Sequence, residues 1–247
     1  MEVGLFIPCY IDQLYPQIGM ATVAVLESLG VTPVYPKNQT CCGQPMLNSG
    51  CFKESEKLAN KFYKHFRGFE YVVAPSASCV HMVRYEYGKF IQNDPEFVRL
   101  QSHMFELSEF IINTLKIEKF KGKFPHKVGF HQGCTGLRGL RLGTSSELHE
   151  KKDSKVRGLL QSLEGIEIIS LERPDECCGF GGTFSIFEQA VSSSMGMDRL
   201  RDHQQAGAEI ITGYDASCLM HIEGLMKRNK SNLKVMHIAE IFSSAIA

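Results

Sequence analysis

Nine cysteines stand at positions 9, 41, 42, 51, 79, 134, 177, 178 and 218, and all but Cys51 fall into two matching sets. Cys9, the vicinal pair Cys41-Cys42 followed by Gly43, and then Cys79 form the first set. Cys134, the pair Cys177-Cys178 followed by Gly179, and then Cys218 form the second. Thiolates are the preferred ligands of iron–sulfur clusters and good ligands for zinc, and each set supplies four of them. Glycine reaches positive φ without steric cost, so Gly43 and Gly179 allow each loop to curl around a centre. The second loop, Cys177 to Thr183, reads Cys-Cys-Gly-Phe-Gly-Gly-Thr and offers more backbone N–H groups for cluster sulfurs. The second set is therefore the first choice for a metal site, and Cys9, Cys41, Cys42 and Cys79 are the second.

Other side chains near these cysteines are weighed one by one. His131 lies three residues before Cys134, as a further ligand or as a donor behind the ligands. Asp215 lies three residues before Cys218 and is a plausible hard ligand, whereas Ser76, at the same offset from Cys79, is a poor one. His81 and His221 follow the last cysteines and read as polar helix positions. Cys51 has no counterpart in the second set and reads as a structural or surface thiol. No catalytic residue stands out. Gly179-Phe180-Gly181-Gly182 lacks the spacing of a dinucleotide fingerprint and belongs to the cysteine motif.

The elements that must position these residues also repeat. Ala77-Ser78-Cys79 recurs as Ala216-Ser217-Cys218, and the pattern of 104–111 recurs at 235–242, which indicates an internal duplication. Short apolar runs predict strands over Val3–Pro8, Thr32–Tyr35, Tyr71–Ala74 and Phe105–Leu107. The second half repeats them at Lys127–Phe130, Glu167–Leu171, Glu209–Thr212 and Lys234–Ile238. Helical spacing predicts helices over Pro16–Leu29, Lys53–Phe66, from Cys79 through about Ile91, over Glu109–Leu115, and over Ser185–Gln205. Strands alternating with helices predict an α/β fold of two pseudo-symmetric halves, each a small parallel sheet flanked by helices. The expected repeats are 1–118 and 124–247, joined by a charged linker at Lys116–Lys123. Cys9, Cys79, Cys134 and Cys218 then lie just beyond strand ends, where open α/β sheets form their ligand crevice.

Composition narrows the setting. The 247 residues, 43% of them hydrophobic, are enough for a substantial core. Lys plus Arg and Asp plus Glu both number 27, which argues against nucleic acid or an anionic membrane as the main partner. An odd cysteine count without an export leader argues against a disulfide framework. No apolar stretch approaches the ~20 residues of a membrane span. The expectation is a cytoplasmic chain that reaches the inner face of a membrane only through partners.

The segments IPCYIDQLYP at 7–16, CCGQPMLNSG at 41–50, HQGCTGLR at 131–138, CCGFGGTFS at 177–185 and GYDASC at 213–218 together resemble the cysteine-rich CCG-domain family. That family includes the cysteine-rich subunit of heterodisulfide reductase, and parts of the iron–sulfur subunits of glycolate oxidase and of anaerobic glycerol-3-phosphate dehydrogenase. A stand-alone chain of two repeats is similar to its lactate-utilization branch. The resemblance implies an iron–sulfur electron-transfer subunit of an L-lactate-oxidising complex, inactive alone, working with a second iron–sulfur protein and a third subunit. In heterodisulfide reductase the motif ends in Cys-x-x-Cys and holds a non-cubane cluster. Here Ser76 and Asp215 stand at the first of those two positions, leaving four cysteines per half. An ordinary cluster of 4Fe-4S type, a zinc ion or a degenerate site are the outcomes left open. Two other functions compete: a thiol–disulfide or heterodisulfide-type reductase subunit, and a non-redox zinc-binding scaffold.

Overall fold

The apolar runs become short parallel strands, and the central ones, Val3–Leu5, Val72–Ala74 and Ile210–Gly213, are buried on both faces, as in parallel sheets covered by helices. A computed structural model describes residues 1–150 and 154–246. The chain divides into two compact units, Met1–Phe110 and Ile111–Ala247.

In the first unit, β1 (Glu2–Leu5) leads into α1 (Cys9–Leu14) and α2 (Pro16–Ser28), then β2 (Thr32–Val34). Next come α3 (Gln44–Asn48), α4 (Phe52–Phe66), β3 (Val72–Ala74), α5 (Ala77–His81), α6 (Pro95–Ser102), β4 (Met104–Glu106) and α7 (Leu107–Asn113), whose last turn enters the second unit. The four strands pair in parallel in the order β2-β1-β3-β4. Helix α2 starts with Pro16 at its first position, where proline's fixed φ and missing N–H cost nothing.

The second unit contains β5 (Lys127–Phe130), α8 (Lys155–Gln161), β6 (Glu167–Ile168), α9 (Phe184–Phe187), α10 (Gln189–Gln205), β7 (Ile210–Gly213), α11 (Ala216–Arg228), β8 (Lys234–His237) and α12 (Ile238–Ile246). Its sheet is also parallel, in the order β6-β5-β7-β8. Both halves thus have the predicted α/β architecture with one strand order. Among the described residues, no helix is long and apolar enough to cross a membrane.

Four local expectations change. The helix expected from Cys79 to Ile91 is instead α5, a π turn at Met82–Glu86 and a 3₁₀ turn at Tyr87–Lys89. The helix expected over Ser185–Gln205 breaks at Glu188 (φ −117°, ψ 50°) into α9 and α10. The strand expected over Glu167–Leu171 is shorter, Glu167–Ile168, and just beyond its expected end Asp202 accepts from the backbone N–H groups of Glu172 (2.9 Å) and Arg173 (3.1 Å). Lys116–Lys123 carries no helix or strand, yet its end is part of the second unit. Phe120 is buried with its ring 4.6 Å from that of Phe242, and Lys123 pairs with Glu164.

Candidate metal centre

Topology explains why cysteines far apart in sequence converge. Strands β1 and β3 are neighbours, and so are β5 and β7. Cys9 and Cys79 therefore follow the C-terminal ends of adjacent strands, as do Cys134 and Cys218. The vicinal pairs arrive from the loops after edge strands β2 and β6, at the same rim of each sheet.

In the first unit, Cys9 opens α1 and its Sγ lies 3.5 Å from the Sγ of Cys41. The backbone N–H of Gly43, at φ 86°, donates to Cys41 Sγ at 3.4 Å. Cys42 is buried, with its thiol in hydrogen-bond reach of both Cys41 and Cys79. The four thiols thus form one continuous run. Cys41 is its anionic point: the hydrogen bond with Cys42, then that with Cys9, hold it down to about 3. Cys9 is pushed up, first by its hydrogen bond to Cys41 and then by burial, and Cys42 is pushed up by Cys41, Cys79 and burial. Ser76 has a visible local role. It caps α5, its Oγ accepting from the Cys79 N–H at 3.4 Å.

The second unit repeats the arrangement. Cys134 is in hydrogen-bond reach of Cys177, Cys177 of Cys178, and Cys178 of Cys218. Gly179, at φ 85°, donates its N–H to Cys177 Sγ at 3.3 Å. All four thiols are pushed up here: Cys134 first by its bond to Cys177, and the other three, against a hydrogen bond that lowers each, by burial and neighbouring sulfurs. His131 joins the cluster. Among the described residues, its ring nitrogen and the sulfurs of Cys178 and Cys218 all lie within 4.8 Å of one another. Burial, with Arg199 nearby, lowers His131 to about 3, so the ring is neutral and keeps a lone pair for a metal. Asp215 sits buried at the N-cap of α11, and its charge raises Cys134 and Cys218. It is not part of the His131–Cys178–Cys218 group.

The remaining candidates are engaged elsewhere. Cys51 is exposed at the start of α4. His81 packs on Tyr85 with ring centres 4.9 Å apart, and His221 faces the Ser192 carbonyl at 3.3 Å.

Sequence reading missed the residues that hold the glycine turns. The buried Ser55 on α4 donates to the Gly43 carbonyl at 3.3 Å, and the buried Ser192 on α10 donates to the Gly179 carbonyl at 2.8 Å. Tyr87 adds a bond to the Cys42 carbonyl at 2.8 Å. Each serine occupies the first turns of the helix after its cysteine pair, a repeat-related position that an alignment of the two halves could have shown.

This donor set fits a metal–sulfur centre. The cysteines are free thiols gathered at a strand-end rim, each Cys-Cys-Gly turn aims an N–H at a sulfur, and both His131 ring nitrogens are buried without a hydrogen-bond partner. The family described as CCG, cysteine-rich domain, matches residues 3–84 and again 128–223. The chain belongs to the CCG cysteine-rich domain family. The matched segments contain all four repeat cysteines of each half, so the CCG motif and the sulfur clusters coincide. Among its relatives, lactate utilization protein A of Exiguobacterium sp. (strain AT1b) is 38% identical, over 99% of this chain and 98% of the relative. Lactate utilization protein A 2 of Bacillus cereus (strain 03BB102) is 34% identical, over 100% and 99%. A hypothetical protein from Helicobacter pylori of known structure shares the fold, with a TM-score of 0.67 at 11% identity. The likeness spans 100% of this CCG chain and 49% of that one.

Proposed function

We propose that the chain is the thiolate-ligated redox subunit of a lactate-oxidising system. In this reading each CCG repeat holds a metal–sulfur centre, and Cys134, Cys177, Cys178 and Cys218 form the principal one. Cys9, Cys41, Cys42 and Cys79 form the other. The observation that carries the reading is the unbroken run of sulfur neighbours in each unit, with a Cys-Cys-Gly turn at its middle. The end-to-end relatives named lactate utilization protein A support the metabolic assignment.

A 4Fe-4S cluster bound there supplies one-electron transfer. The chain's own residues hold the thiolates, and the N–H groups of Gly43 and Gly179 offset sulfur negative charge. With no dinucleotide motif, reducing equivalents enter or leave through partners: a second iron–sulfur protein and a third subunit, in the cytoplasm.

The test is metal and sulfide analysis of the full chain prepared without oxygen. Cys178→Ser is expected to lose most iron and sulfide, because a hard oxygen replaces thiolate poorly, while Cys51→Ser keeps both. Full iron and sulfide in Cys178→Ser overturns the assignment, and stoichiometric zinc without visible absorption overturns the redox role.

A second reading, thiol–disulfide exchange, draws on Cys41. A thiol held at about 3 beside Cys9 Sγ at 3.5 Å has the features of an attacking thiolate with a neighbouring thiol. A metal-free chain that reduces disulfides at a catalytic rate would favour it.

A further inference from the structure

The two repeats share a backbone but differ in what they bury behind the cysteines. Phe6 donates its N–H to the Val73 carbonyl at 2.9 Å, and His131 donates to the Thr212 carbonyl at 2.7 Å. Each stands three residues before the first cysteine of its set. On the helix that follows the cysteine pair, counting from the serines that hold the glycine turns, Phe62 and Arg199 are equivalent, and so are Phe66 and His203. In the first unit Phe6, Phe62 and Phe66 pack as an aromatic cluster, with ring centres 4.9, 5.7 and 4.5 Å apart. In the second unit all three positions are polar, and His131, Arg199 and His203 are 2%, 0% and 0% exposed.

Burying these groups is costly unless they are used. Arg199 is accounted for by Asp202, at 2.5 Å, and by the Arg173 carbonyl. The two histidines are not: both ring nitrogens of His131 and of His203 are buried without a hydrogen-bond partner. Of the two, it is His131 whose ring nitrogen lies within 4.8 Å of Cys178 Sγ and Cys218 Sγ. Metal–nitrogen and metal–sulfur bonds are about 2.0–2.3 Å long, so three donor atoms this close can serve one metal–sulfur centre.

We propose that His131 is an imidazole ligand of the second unit's centre, which is therefore a mixed thiolate–imidazole site, whereas the first unit's centre is held by thiolates alone. This rests on the metal–sulfur reading above. Neutral imidazole carries no negative charge, so a ligand shell in which it takes the place of one of the four thiolates is less negative than the first unit's, which raises the reduction potential of a cluster. The buried Arg199 guanidinium acts in the same direction. The two repeats thereby become two centres of different potential instead of two copies of one.

The experiment is X-ray absorption at the edge of the bound metal, on the full chain prepared without oxygen. A Cys41→Ser, Cys42→Ser background silences the first unit. The expected spectrum contains multiple scattering from an imidazole ring, and His131→Phe, which installs the first unit's own residue, abolishes it. His131→Cys is expected to retain the metal, lack the ring signature and be reduced at a lower potential. Metal bound without ring scattering, or scattering that persists in His131→Phe, overturns the imidazole ligand and leaves the redox proposal standing. Absence of any metal in the background chain overturns both.

Discussion

The backbone N–H of Gly179 points at the Sγ of Cys177, 3.3 Å away, and Gly43 does the same to Cys41 at 3.4 Å. Both turns need a glycine for two reasons: a positive φ, and the closeness of the following helix. A Cβ at Gly179 would come within 2.5 Å of the Ser192 carbonyl oxygen.

Gly179→Ala should therefore be costly in both stability and metal content. The left-handed conformation alone costs about 1–2 kcal/mol for a residue with a Cβ, and the backbone clash adds to it. Gly30 has a similar φ, 75°, but open space around it, so Gly30→Ala should show only the conformational cost. Chemical denaturation of both variants checks this, and equal losses would refute the role of the helix contact.

Thiol reactivity should run against exposure. Cys134 is exposed, yet its bond to Cys177 pushes its thiol up, whereas the half-buried Cys41 is held at about 3. Since thiolate is the nucleophile, Cys41, the thiol its neighbours hold lowest, should react first. In the reduced, metal-free chain at pH 6, mass spectrometry of alkylated peptides should find Cys41 modified before Cys134. The reverse order would remove the assignment of Cys41 as the anionic thiol.

The buried histidines make the metal-free protein acid-sensitive. Burial holds His131 down to about 3 and His203 well below the usual histidine value. In the unfolded chain both take up a proton below about 6.5. Stability is therefore complete above that pH and is lost as pH falls below about 6.5, by up to about 1.4 kcal/mol per pH unit for each group, and for His131 this continues down to about 3. Denaturation midpoints between pH 7 and 5 should show this slope in the metal-free chain. The double variant His131→Phe, His203→Phe should flatten it, and an unchanged slope would assign the acid sensitivity elsewhere.

The purified chain alone should not oxidise lactate with an artificial acceptor, because it carries no motif for a hydride-accepting cofactor. Activity should appear only when partner subunits are added. Robust turnover by the single chain would require a catalytic centre that the two cysteine sites do not supply.

Much of this molecule could be read in one dimension. The duplication, the four thiols of each half and the parallel α/β order all follow from residue spacing and apolar periodicity, because both signals are local and repeated. Cys9 and Cys79 fall beyond strand ends for the same reason that the strands exist. What remained hidden depends on neighbours distant in sequence. The path of the chain after β6 is held by a tertiary hydrogen bond from Glu172 to Asp202, which lies 30 residues further on. Ser55 and Ser192 look like ordinary helix serines until the folded chain brings a glycine carbonyl to each. His131 could be flagged as a neighbour of Cys134. Only the folded sheet shows that its ring turns towards Cys178 and Cys218, and that the same place in the other half is filled by Phe6. Which thiols can gather in each half is determined by residue type and spacing along the chain. Charge state and coordination are decided by burial and by which groups face one another, and these exist only after the strands have paired.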